Sequence, residues 1–474
     1  MLHGLRKAPT GISGLDEVTG GGLPLGRPTL VCGPAGCGKT LLAMEFLIRG
    51  IVEYDEPGLF VAFEESVDEL VENVASMGFD LQQLQDDNLL AMDHVQLSAG
   101  DLEETGAWDL SGLLIRLGAA IDQVGAKRVV LDTIETLFGA FENQAILRTE
   151  LRRLFSWLKE RGVTAIVTGE RGDGSLTRHG IEEYVSDCVI VLDHRVSEQT
   201  STRRLRVLKY RGSLHGTNEY PFLIGSHGVS VLPITSIGLQ HEVSTERVSS
   251  GVQSLDEMLG GEGLYRGSSV LISGTAGTGK STIAAQFCAA ACSRGERALY
   301  FAFEESAAQI IRNMASVGID LARWVDDGLL KFRCVRPSLL GLEAHLASMQ
   351  DLVSEFGPDV VVMDPISDLL HSGDGEEVFE MLTRQVDYLK SSGVTAVFTS
   401  LNVVRDSENN EQQIGSLIDS WVMAKLEESD GARHRVLYVL KSRGMAHSQE
   451  IRRFELSHDG LRVSDVFRRP SQAR

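Results

Sequence analysis

Apolar residues along this chain come in two textures. Short continuous runs, Thr29–Cys32, Leu59–Phe63, Val129–Leu131 and Ala165–Val167, alternate with amphipathic stretches of helical length. Strands with no polar alternation need cover on both faces, so the pattern predicts a mainly parallel sheet with helices on both sides. The texture then changes. "SDCVIVLD", "RRLRVLKYRG" and "EYPFLIG" follow one another with turns and no helical stretch between them. Such runs predict an antiparallel extension of the same sheet. The predicted class is α/β.

The whole pattern is written twice. "GISGLDEVTGGGLPLG" from Gly11 returns as "GVQSLDEMLGGEGLYRG" from Gly251, and "NVASMGFDL" from Asn73 as "NMASVGIDL" from Asn313. "VVLDTIETL" returns as "VVMDPISDL", "GVTAIVTGE" as "GVTAVFTSL", "LKYRG" as "LKSRG", and "LFVAFEES" as "LYFAFEES". A repeat that long duplicates a whole domain rather than a solenoid unit. The expected organisation is a first domain over 1–235, a linker over 236–247 and a second domain over 248–474. The linker expectation rests on "PITSIGLQHEVSTER", which has no periodicity.

Composition narrows the function classes. The 474 residues suffice for two domains with their own cores, and 66 Asp and Glu against 45 Lys and Arg leave a formal net charge of −21. Such a chain is repelled by nucleic-acid backbones and anionic membranes, and it has no Lys/Arg-rich run to override the total. No apolar run approaches the roughly 18 residues that cross a bilayer, and the start lacks a signal-peptide core, so a cytoplasmic location is expected. The six cysteines, Cys32, Cys37, Cys188, Cys288, Cys292 and Cys334, show no metal-ligand spacing. They are expected to be small buried hydrophobes.

The chemistry begins at two glycine-rich turns. Gly33, Pro34, Ala35, Gly36, Cys37, Gly38, Lys39 and Thr40 fit G-x-x-x-x-G-K-[ST], as do Gly274, Thr275, Ala276, Gly277, Thr278, Gly279, Lys280 and Ser281. Each follows an apolar run and opens a helical stretch. In that context successive N–H groups and the helix N-terminus face one anion, which is a phosphate cradle for ATP. Lys39 and Lys280 are placed for the β- and γ-phosphates, and the hydroxyls of Thr40 and Ser281 for Mg²⁺. Asp132 and Asp364 end apolar strands and are placed to orient the water shell of the metal, although an aspartate there also caps a helix well.

Two further groups share the predicted crevice. Glu64 and Glu65, and Glu304 and Glu305, end strands expected to lie next to the P-loop strands. One glutamate per copy is the candidate base for water or another hydroxyl. Ser66 with Glu69 and Ser306 with Gln309 also read as capping boxes, and both roles are compatible. Lys209 with Arg211, and Lys441 with Arg443, stand two apart on predicted strands and so on one face. They are candidates for stabilising γ-phosphate charge, on a nucleotide of a neighbouring subunit or otherwise as a solvated face.

With these motifs on both copies, from about Ala8 to about Phe467, the chain resembles the KaiC family of cyanobacterial clock ATPases and autokinases. The "FEES", "LKxRG" and "SSGVQSLDEMLGG" stretches, with "HGIEEYVSDCVIVL" and "EYPFLIGSHGVSVLP", carry the likeness. The resemblance implies two tandem RecA-like P-loop domains and a hexameric ring with ATP at subunit interfaces. It also implies a slow ATPase first domain and a second domain that phosphorylates itself on paired hydroxyl residues. Here "QIGSLIDS" aligned on Asp419 leaves Gly415 and Ser416, so Ser416 is the expected phosphorylation site, with Ser407 and Ser420 as rivals. The first copy has Glu183 and Tyr184 there. A KaiB-like or two-component signalling partner is implied as well. The tail after Phe467 is shorter than the one by which the family binds its activating partner. A RecA-like nucleic-acid motor and a nucleotide-gated scaffold are the alternative functions.

Overall fold

The computed structural model describes residues 5–75, 77–95, 110–138, 144–171, 186–197, 200–225, 228–232, 244–339, 341–371, 375–401, 414–429, 431–458 and 460–467. The chain divides into two compact units, Met1–Ser236 and Ile237–Arg474. Most of the expected linker, 236–243, lies outside the described residues, as do Ser407, Glu183 and Tyr184.

The first unit opens with a two-residue ribbon, β1 (Lys7–Ala8) against β2 (Leu23–Pro24). Five strands then run parallel: β3 (Pro28–Gly33), β4 (Gly58–Ala62), β5 (Leu90–His94), β6 (Arg128–Asp132) and β7 (Thr164–Glu170). β8 (Cys188–Ser197) is parallel to β3, and β9 (Thr200–Tyr210), β10 (Glu219–Gly225) and β11 (Gly228–Val231) continue antiparallel. The sheet order is β11-β10-β9-β8-β3-β7-β6-β4-β5.

The second unit repeats this after the ribbon β12 (Arg247–Val248) and β13 (Leu264–Tyr265). Its strands are β14 (Ser269–Gly274), β15 (Ala298–Ala302), β16 (Leu330–Cys334), β17 (Val360–Asp364), β18 (Thr395–Leu401), β19 (Ser420–Ser429), β20 (Ala432–Ser442), β21 (Arg452–Ser457) and β22 (Gly460–Val466). Their order is β16-β15-β17-β18-β14-β19-β20-β21-β22.

The strands bury both faces, as their apolar texture requires. In β4, Phe60 joins the core against the helix Lys39–Tyr54, while Leu59 and Val61 join the core against the helices Ser111–Val124 and Gln144–Arg161. The result is two RecA-like α/β units with mainly parallel sheets and antiparallel edges.

Two expectations are corrected. β4 and β15 do not neighbour the P-loop strands β3 and β14; β7 and β6, or β18 and β17, stand between. Crossover connections let later strands insert there, so sequence order does not give spatial order. Cys334 is exposed rather than buried, because it ends the edge strand β16, and the other five cysteines are buried.

Candidate active site

In each unit the P-loop follows the C-terminal end of its strand and opens a helix, Lys39–Tyr54 or Lys280–Ser293. Gly38 and Gly279, the residues before these helices, have φ of 104° and 90°, values a side chain would strain. Lys39 Nζ donates to the carbonyls of Gly33 (2.9 Å) and Pro34 (3.0 Å), and Lys280 Nζ to that of Thr275 (3.0 Å). Burial pushes the Cys37 thiol above its ordinary value, so this P-loop cysteine is held as a neutral packing group.

The strand-end aspartates meet the P-loop hydroxyls. Thr40 Oγ1 donates to Asp132 Oδ2 at 2.8 Å, and Ser281 Oγ to Asp364 Oδ1 at 3.2 Å. Both aspartates are nearly buried. A hydroxyl and a carboxylate are hard oxygen donors, a set that fits Mg²⁺. Among the described residues no cluster of three His, Cys, Asp or Glu offers another metal site.

The carboxylate pairs reach the site through β6 and β17. Phe63 N–H donates to Asp132 O (2.8 Å) and Phe303 N–H to Asp364 O (2.9 Å), so the next two residues lie beside the aspartate. The second glutamate of each pair accepts from an asparagine, Glu65 from Asn73 (3.5 Å) and Glu305 from Asn313 (3.3 Å). Glu64 accepts from Thr136 Oγ1 at 3.1 Å. Burial, then the charges of Asp368 and Asp364, raises the Glu304 carboxyl above its ordinary value, with Lys280 opposing. Burial, then Asp132, does the same to Glu65. The serines cap as well: Glu69 N–H donates to Ser66 Oγ (3.3 Å) and Gln309 N–H to Ser306 Oγ (3.4 Å).

The second cationic pair lies at the other end of the sheet. Lys441 pairs with Trp421, which pairs with Leu271, whereas the P-loop strand ends at Gly274. At about 3.3 Å per residue that separation is roughly 10 Å along the strand. Arg443 and Arg211 fall just past β20 and β9, in turns rather than on the strands expected for them. Lys441 Nζ donates to the carbonyls of Gly415 and Ile418 (both 2.8 Å), and Arg443 to that of Ser416 (2.6 Å). Burial, then the Arg443 charge, holds the Lys441 ammonium below its ordinary value. Lys209 is equivalently placed beside Val189, and Arg211 faces Asp187 at 3.7 Å. Ser416 is exposed on a helical turn over 414–417, whereas the rival Ser420 is buried and bonded to Ser442 at 2.8 Å.

Several site residues were not singled out in the sequence. Thr168 and Thr399 hydroxyls donate to Oδ1 of Asp132 and Asp364. A threonine kept in both copies of a buried apolar run was the available signal. Arg435 Nε donates to the P-loop carbonyl of Gly277 at 3.1 Å, from β20 rather than from any motif. Trp421 Nε1 donates to Ser273 Oγ at 2.6 Å, one residue before the P-loop.

Two P-loops, each with a strand-end aspartate and a glutamate pair on a RecA-like sheet, define a tandem nucleotide-binding P-loop protein. The family described as "ATPase: KaiC" matches residues 8–236 and again 248–466. The Circadian clock protein KaiC2 of Synechocystis sp. (strain ATCC 27184 / PCC 6803 / Kazusa) is 54% identical over 98% of this chain and 82% of its own length. The Circadian clock oscillator protein KaiC 1 of the same strain is 39% identical over 98% and 90%. The Circadian clock oscillator protein KaiC of Synechococcus elongatus is 36% identical over the same shares, 98% and 90%. This chain belongs to the KaiC family of ATPases.

Proposed function

We propose that the chain assembles into a ring, a hexamer by family likeness, in which each ATP is cradled by one chain and completed by the next. In this reading the first unit, 1–235, hydrolyses ATP and the second, 248–474, transfers phosphate to Ser416 as a timer-like signalling switch. One observation carries the reading. Ser416, Lys441 and Arg443 cluster at the edge of the second sheet opposite its own P-loop, which supports a role toward the nucleotide of a neighbouring copy rather than their own.

The roles follow from position. The P-loop N–H groups, with Lys39 or Lys280, hold the phosphates, and Arg435 braces the second loop through Gly277. Mg²⁺, held by Thr40 with Asp132 and by Ser281 with Asp364, would neutralise phosphate charge. Ser416 Oγ forms the new P–O bond, the bond between the γ-phosphorus and the ADP oxygen breaks, and Glu304 takes the hydroxyl proton. Its raised carboxyl suits a base better than Glu305, which Asn313 holds. In the first unit water replaces the serine, with Glu64 or Glu65 as base. Lys441 and Arg443, or Lys209 and Arg211, would leave their own chain's carbonyls and carboxylates to balance charge on the neighbour's γ-phosphate.

The test is phosphopeptide mapping after incubation of the full chain with Mg-ATP. Phosphate is expected on Ser416, absent in Ser416→Ala, and slowed by about 10²–10⁴ in Glu304→Gln. ATP turnover should fall similarly in one of Glu64→Gln and Glu65→Gln. Labelling that skips Ser416 would leave an ATPase without its switch, and no turnover at all would favour a nucleotide-gated scaffold.

A further inference from the structure

The two copies hold their strand-end aspartates differently. Asp132 accepts Thr168 on Oδ1 and Thr40 on Oδ2 (2.8 Å). Asp364 accepts both Thr399 and Ser281 on Oδ1, and its Oδ2 accepts Tyr300 Oη at 2.5 Å. Tyr300 is fully buried on β15, two residues before Ala302, the register partner of Asp364. Alternate residues share a face, so the ring rises along the sheet on the side of the P-loop helix and delivers its hydroxyl to the carboxylate. Phe332 packs against it with ring centroids 5.2 Å apart. The equivalent residue in the first copy is Phe60, just as buried and with no hydroxyl to donate.

We infer that Tyr300 is a positioning residue for the metal-orienting carboxylate of the second unit, a brace that the first unit lacks. The inference rests on the reading of Asp132 and Asp364 as groups that orient a divalent cation. A carboxylate has about four acceptor positions. When Ser281 turns to a cation, Thr399 still holds Oδ1 and Tyr300 still holds Oδ2, so the carboxylate plane stays fixed with one open position on each oxygen. When Thr40 turns away from Asp132, Thr168 on Oδ1 is the hydroxyl that remains among the described residues, and none of them supplies a hydroxyl to hold Oδ2 as Tyr300 does in the second unit. A group fixed before its ligand arrives binds it more tightly, and losing such a brace costs about 10–100-fold in metal affinity. The two sites therefore differ in how firmly they hold the cation, although their P-loops are alike.

Mn²⁺ titrated into the full-length chain with saturating ADP, read by electron paramagnetic resonance, tests this without turnover. The second-unit class of bound metal is assigned as the one lost in Asp364→Asn. Tyr300→Phe is expected to weaken that class about tenfold and to leave the class lost in Asp132→Asn unchanged. The substitution keeps the ring and copies the Phe60 of the first unit, so folding is retained. If Asp364→Asn removes no class, the metal reading itself is wrong. If it does, but Tyr300→Phe leaves the affinity where it was, Tyr300 is not a brace. If the hydroxyl only stabilised the fold, Tyr300→Phe would lower the thermal midpoint of the metal-free chain without moving Mn²⁺ affinity, which would overturn the inference too.

Discussion

A β-carbon built on Gly415 would fall 2.3 Å from Cζ3 and 2.6 Å from Cε3 of Trp421. The indole has little room to yield, since Trp421 is 8% exposed and its Nε1 is bonded to Ser273. A side chain at position 415 must therefore displace the ring or the helical turn that carries Ser416. Gly415→Ser is expected to cost about 1–3 kcal/mol, the usual range for overpacking, measured by urea unfolding of the full chain. Adding Trp421→Ala should recover part of the loss, less what its own cavity costs. Equal stability of Gly415→Ser and the parent would show that the ring does not exclude a side chain there. The sequence shows that a hydroxyl is missing at 415 but not why, because the clash depends on the direction of an indole six residues further on. The same holds for Tyr300: its difference from Phe60 is visible in the repeat, while its bond to Asp364 needs the register of two strands.

Among the elements, strand identity was legible and strand order was not. Continuous apolar runs located β3, β4, β6 and β7, and the runs without helices located β8, β9 and β10. Where they lie in the sheet depends on crossovers, so the glutamate pairs lie beside the strand-end aspartates of β6 and β17 rather than beside the P-loop strands. The start of β19 shows how such positions are fixed. Asp419 Oδ2 accepts from Ser269 N–H (2.9 Å) and Ser269 Oγ (2.8 Å), and Oδ1 accepts from Lys390 Nζ (2.9 Å). This joins β19 to β14 and to the helix Gly375–Ser391. Burial alone would raise the Asp419 carboxyl, but the bonds from Lys390 and Ser269 outweigh it and hold the group below its ordinary value. A carboxyl depressed in the folded state contributes stability above its unfolded value, near 3.9, and loses it as pH falls through the folded value. The contribution is therefore present at neutral pH and fades below about pH 4. Asp419→Asn should lower neutral-pH stability by on the order of 1–3 kcal/mol and show a shallower acid limb than the parent in urea midpoints taken against pH. An unchanged acid limb would mean that Asp419 is not the staple.

At the scale of the whole molecule, each unit carries, in the proposed reading, both halves of a nucleotide site, and carries them apart. The phosphate cradle with its acids lies at the C-terminal edge of the sheet, and the Lys-Arg pair lies about 10 Å back along the strands, at the N-terminal edge. If the two halves work together, a second chain has to supply one of them, and ATP then bridges two copies. Binding of a bridging ligand is linked to assembly, so nucleotide should drive ring formation. The two P-loops should also be separable, since their acids are braced differently and only the second unit carries Ser416 beside its cations. Lys39→Ala removes a phosphate-binding cation from the first unit, and is expected to lose most ATP turnover and ring formation. Lys280→Ala should still assemble with Mg-ATP but fail to label Ser416. Light scattering reports assembly, and phosphopeptide mapping reports transfer. A parent chain that stays monomeric at saturating Mg-ATP would remove the bridging site. Identical behaviour of the two variants in both assays would remove the division of labour, leaving two equivalent ATPase units.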